Sequence, residues 1–159
     1  MNDTVLSSSP APEGAIRLDE YWPYQVTVLA DLIARRTAMI VKREAGLNLS
    51  QWRVLAAIAE RPGRTAAEVV AMTPMDKGIV SRATKALLAA GLLIRQASQD
   101  DGRVSHLFLT EKGEALYQTL RPHVEAVARS ANALMGPGEQ DAFCALVKRL
   151  ARSMPGMPG

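Results

Sequence analysis

The feature that most limits what this chain can fold into is a change of apolar period at Gly91. Before it, "PMDKGIVSRATKALLAAG" (74–91) sets apolar side chains at helical spacing behind a proline-marked turn. After it, "LLIRQAS" and "RVSHLFLT" flank "QDDG", a hairpin signal built on Asp-Gly. A helix that stops at a glycine and runs straight into a short hairpin restricts the chain to few architectures.

The helix before the hairpin is itself preceded by a shorter one. Thr65 and Glu68 have the T-x-x-E spacing of a capping box, which starts a helix through about Met72; "TPM" turns the chain, and Asp76 caps the next helix. At 100° per residue Ile79, Val80, Ala83, Ala86, Leu87 and Ala90 fall on one face, and Lys77, Gly78, Ser81, Lys85 and Leu88 lie opposite, with Arg82 on the flank. Two short helices joined by a tight turn, the second apolar inside and basic outside, form a helix-turn-helix, and the hairpin after it is a wing.

Long helical segments bracket this unit. From Tyr24 to about Ala45, Val26, Leu29, Ile33, Thr37 and Ile40 follow 3–4 spacing, and Val28, Leu32 and Met39 widen the stripe. "GLNLS" breaks that helix, and Ser50 is the expected N-cap of a second one, Gln51 to Glu60. Thr110 caps a fifth helix with Leu116, Leu120, Val124, Val127, Ala131 and Leu134 in a near-heptad seam, which Pro122 should bend. A last helix, Glu139 to about Arg152, sets Phe143, Leu146, Val147 and Leu150 on one face, with Cys144 expected in the core. The fold class is therefore mainly α with a small β-wing. It comprises a flexible arm (1–19), a helical dimerisation region (20–48 with 111–154) and a winged helix-turn-helix lobe (49–110). Apolar seams at both ends exceed what the small lobe can cover, which points to a homodimer.

Charge and chemistry narrow the function. The net charge is +3, and residues 61–103 carry Arg61, Arg64, Lys77, Arg82, Lys85, Arg95 and Arg103 against Glu68, Asp76, Asp100 and Asp101. Lys77, Arg82 and Lys85 suit phosphates; Ser81 is short enough to let the helix approach base edges, and Gly78 permits the same closeness. The chain has no H-E-x-x-H, C-x-x-C or phosphate-loop pattern, and His106 and His123 stand apart, so no catalytic group, metal or cofactor is expected. With one cysteine, no signal-peptide pattern and no apolar run long enough to span a bilayer, the expectation is a cytoplasmic protein without membrane association.

Taken together, "LNLSQWRVLAAIAERPGRTAAEVVAMTPMDKGIVSRATKALLAAGLLIRQASQDDGRVSHLFLTEKGEAL" resembles the MarR family of winged-helix transcriptional regulators, over roughly residues 22 to 152. The sharpest elements are "MDKGIVSR", "GLL", "DDGR" and "LTEKG". The resemblance implies a homodimer whose first and last two helices interleave, with two lobes straddling a pseudo-palindromic DNA operator. It also implies recognition-helix contacts by Ser81 and Arg82, and a wing-tip Arg103 in the minor groove, oriented by Asp101. "YWPYQVTVLADLIARR" is most similar to members that govern aromatic-acid catabolism. That implies a repressor released by a small aromatic acid or its coenzyme A thioester. The candidate ligand residues are Trp22, Tyr24, Val28, Arg53 and His123, though Tyr21, Trp22 and Tyr24 would equally serve to anchor the first helix. The alternative function is a winged-helix protein-interaction module without specific DNA binding.

Overall fold

A computed structural model describes residues 14–98 and 104–154. In chain order the elements are α1 (Trp22–Ala45), α2 (Leu49–Glu60), α3 (Ala66–Met72), α4 (Lys77–Ala89), β1 (Leu93–Ala97), β2 (Ser105–Leu109), α5 (Glu111–Asn132) and α6 (Glu139–Ser153). The mainly helical chain with a two-stranded wing is thus observed.

Local chemistry explains most boundaries. Pro23 lies in the first turn of α1, where its missing N–H costs nothing, and Gly46 ends the helix in the left-handed region at φ 68°. The N-cap of α2 is Asn48, not Ser50. Asn48 Oδ1 accepts from the Gln51 amide at 2.9 Å, and Gln51 Oε1 accepts from the Asn48 amide at 2.8 Å. This reciprocal pair satisfies two donors, more than the Ser50 hydroxyl offers from inside the helix. Thr65 and Glu68 form the expected box on α3. Asp76 Oδ1 accepts from the Ile79 amide at 2.7 Å to start α4.

One core runs through the lobe and into α1 and α5. Val54, Leu55 and Ile58 of α2, Val69 of α3, and Val80 and Leu87 of α4 are almost wholly buried. They meet Leu93 and Leu107 of the wing, Val41 of α1 and Leu120 of α5. At roughly 1.5–3 kcal/mol per fully buried aliphatic side chain, this cluster is what holds α4 to its neighbours.

The wing is antiparallel, with Leu93 opposite Leu109 and Ala97 opposite Ser105. Its second strand is also fastened to the turn between α2 and α3. Leu107 N donates to Arg64 O at 3.0 Å, Gly63 N donates to Leu107 O at 2.9 Å, and His106 Nδ1–H donates to Gly63 O at 2.7 Å. His106 therefore has a structural partner.

The outer helices leave apolar surface uncovered, as their seams imply, and Cys144 departs from expectation. Along the α5 seam Leu120 is buried and Leu116 and Val124 reach the core, but Leu134 is 88% exposed. No residue of α6 is buried, and Cys144 is exposed rather than in the core, because nothing among the described residues covers the apolar face of α6. Val26, Leu29, Leu32 and Ile33 of α1 are likewise exposed. Among the described residues, no helix is long and apolar enough to cross a membrane.

Candidate nucleic-acid interface

Helix α4 is the centre of the site. Its inner face is Val80, Ala83, Thr84 and Leu87, all buried. The expected face was one position out at the end: Ala90 is exposed, while Thr84 is buried and Leu88 packs against the core. A β-branched threonine fills that inner position, and its Oγ1 has no hydrogen-bond partner among the described residues.

Apart from Leu88, the outward face matches the sequence reading. Lys77, Gly78, Ser81, Arg82 and Lys85 are all exposed. None of the three cations takes part in an ion pair among the described residues. The carboxylate closest in sequence, Asp76, is engaged as the helix cap. Among the described residues, the face therefore presents positive charge without an ion-pair partner on a regular helix. A Cβ built on Gly78 would lie 3.4 Å from Arg82 Nη1 and 3.2 Å from Asp76 Oδ1. The guanidinium is thus folded back along the helix over the bare glycine.

The structure adds a residue that sequence reasoning left out. Arg95 of β1 lines a groove of about 360 Å³ together with Lys77, Ser81 and Thr84 of α4 and Ala67 of α3. Strand and helix meet there because the wing is fastened beside α3. Arg95 is an exposed strand position within the basic segment 61–103, and its place in that segment was the available signal. Asp101 and Arg103, the expected wing-tip pair, lie outside the described residues.

Glu68 braces the helix beside this face. Its carboxylate accepts from the Thr65 amide at 2.7 Å and is paired with Arg61. The Thr65 backbone hydrogen bond first, and Arg61 second, hold its pKa below the ordinary value.

The five candidate ligand residues do not converge within one chain. Trp22, Tyr24 and Val28 lie exposed along the start of α1. Arg53 borders a shallow groove of about 350 Å³ with Ala56, Met72 and Pro74. His123 lies on a different groove, about 620 Å³, between α1 and α5, with Arg36, Arg43 and Arg129. Trp52 is buried and stacks on Tyr117, with centroids 5.7 Å apart and planes 13° from parallel. Among the described residues, no three His, Cys, Asp or Glu side chains gather into a metal-binding group.

A winged helix-turn-helix with a basic, exposed second helix defines a class of regulator, and comparison with known proteins specifies the family. The MarR family model matches residues 45–104. The homoprotocatechuate degradative operon repressor of Escherichia coli is 32% identical over 114 residues, covering 66% of this chain and 74% of that protein. The crystal structure of a MarR family transcriptional regulator from Silicibacter pomeroyi superposes with a TM-score of 0.75 at 28% identity. It covers 86% of this chain and 92% of that one. The transcriptional repressor CouR, solved on a 23-mer DNA duplex, has the same fold, with a TM-score of 0.75 at 24% identity over 90% of this chain and 99% of that one. The chain belongs to the MarR family of transcriptional regulators. Its family and fold are those of regulators rather than of an enzyme.

Proposed function

We propose that this regulator is a homodimeric repressor that binds a pseudo-palindromic DNA operator through α4 and the wing, and is released by a small aromatic acid or its coenzyme A thioester. The observation that carries the DNA-binding reading is the outward face of α4, where Lys77, Arg82 and Lys85 stand exposed without a carboxylate partner among the described residues. Arg95 extends that charge onto β1. In this reading Lys77, Arg82, Lys85 and Arg95 hold phosphates, while Ser81 faces base edges beside the bare Gly78. By the family resemblance, Arg103 is assigned to the adjacent minor groove.

The dimer is supported by the exposed apolar faces of α1 and α6, which hold Leu29, Leu32, Ile33, Phe143, Leu146 and Val147. A second copy is the partner able to cover both faces at once, since the two helices come from opposite ends of one chain. The effector reading is supported by the aromatic opening of α1 and by similarity to a repressor of homoprotocatechuate degradation, an aromatic acid. Because Trp22, Tyr24, Arg53 and His123 lie on separate surfaces of one chain, a pocket containing them all is built only when a second chain contributes part of it.

Binding to duplex DNA selected from a random pool, measured against salt, tests the reading. Contact with several phosphates gives a slope of log K on log salt of about −0.9 per phosphate. A protein-interaction module would select no duplex and show no such slope, and that result would overturn the proposal.

A further inference from the structure

The end of α4 and the start of α5 form one hydrogen-bonded unit, although the whole wing separates them in sequence. Gly91, at φ 68°, closes α4: Leu92 N donates to Leu87 O at 2.9 Å and Gly91 N to Leu88 O at 3.0 Å. This leaves the next carbonyls, those of Ala90 and Gly91, pointing outward without backbone donors of their own helix. The first turn of α5 supplies the donors. Lys112 Nζ donates to Ala90 O at 2.9 Å and Thr110 Oγ1 donates to Gly91 O at 2.7 Å. Thr110 N donates to Leu92 O at 3.2 Å. The same Thr110 hydroxyl accepts from Gly113 N at 3.0 Å, so one oxygen caps α5 and holds the end of α4.

Gly113 makes this closeness possible. It is buried, and a Cβ there would lie 2.0 Å from Leu92 O, a backbone atom that cannot swing aside. The ammonium of Lys112 also sits at the negative end of the α4 dipole, where a cation is favoured. From this joint α5 continues through Tyr117, which stacks on Trp52, and Leu120, which is buried in the core.

We propose that Thr110, Lys112 and Gly113 are positioning residues that key the axis of α4 to that of α5, so that the tilt of α5 sets the angle and separation at which two α4 helices meet DNA. This rests on the operator-binding dimer proposed above. A dimer reads half-sites ~34–36 Å apart, so a small rotation at the joint changes which spacing fits. Loosening the joint should therefore blur spacing discrimination rather than simply weaken DNA contact, since none of the three residues belongs to the outward face of α4.

The experiment uses the full chain and duplexes carrying two selected half-sites, with their separation varied one base pair at a time. The wild type should show one sharp optimum. Lys112→Met keeps side-chain length without the donor and should reduce the preference for that optimum over its neighbours by about threefold or more, at unchanged melting temperature. Lys112→Arg should restore the preference. Gly113→Ala should shift or abolish the optimum. In parallel, hydrogen exchange of free Lys112→Met should speed up at amides 87–92 and leave those of α2 unchanged. If Lys112→Met keeps the wild-type spacing profile and exchange pattern, the joint has no positioning role. If the wild type selects no duplex, the operator reading fails, and exchange alone then judges the joint.

Discussion

The Trp52 indole on α2 lies nearly parallel over the Tyr117 ring on α5, 5.7 Å between centroids, and so joins the winged lobe to the long helix that leaves it. Trp52 is buried, whereas Trp22, the other tryptophan, is 55% exposed. Tyr117→Ala should lower stability by about 1–2 kcal/mol through lost area and stacking. Tyr117→Phe should recover most of that loss. Urea unfolding followed by tryptophan emission measures both.

The DNA face divides into charge and readout. Arg82→Ala and Arg95→Ala should each reduce the salt slope of operator binding by about one. Ser81→Ala should leave the slope in place and relax sequence preference instead. Arg103→Ala should matter most where the flanking sequence narrows the minor groove. Binding isotherms at several salt concentrations on matched duplexes separate these effects. Equal affinity for wild type, Arg82→Ala and Arg95→Ala would remove the assignment.

The exposed faces of α1 and α6 make the oligomeric state measurable. Sedimentation equilibrium at micromolar concentration should show a dimer. Phe143→Glu and Leu146→Glu each replace a side chain whose burial in the proposed dimer would contribute up to roughly 1.5–3 kcal/mol, and should shift the equilibrium toward monomer. A stable, folded wild-type monomer at those concentrations would sink the proposed architecture.

Glu68 gives α3 a pH dependence of defined sign. Its folded pKa lies below the ordinary value of 4.5, because the Thr65 amide and Arg61 favour the carboxylate. Its contribution is thus fully present above pH 4.5 and is lost as pH falls through the depressed folded value. Glu68→Gln should flatten the part of the stability profile that falls in that acid range, while the amide oxygen still accepts from Thr65. Thermal melts of both proteins from neutral to acid pH show whether it does.

An aromatic effector should report itself through tryptophan. Titration with benzoate- or cinnamate-type acids, or their coenzyme A thioesters, should change emission and release the operator together. Trp22→Phe should remove part of the optical change, and Tyr24→Ala should raise the concentration needed for release. Unchanged emission and operator affinity across a broad panel would end the aromatic-effector proposal and leave DNA binding standing.

Local signals in the sequence settled what local physics controls. The capping pair Thr65 and Glu68, the Asp76 and Thr110 caps, the glycine stop at position 91 and the change of period after it determine helices and wing through hydrogen bonds within a few residues. The same periodicity put Lys77, Ser81, Arg82 and Lys85 on one outward face, since a helix converts spacing directly into direction. Only the tertiary structure decided what depends on which elements become neighbours. It brought Arg95 beside Lys77 and Ser81, fastened His106 to Gly63, seated Gly113 against Leu92 O, and left Cys144 and the rest of α6 uncovered. These contacts join residues distant in the chain, or depend on whether a partner helix is present at all, and sequence spacing holds no record of either.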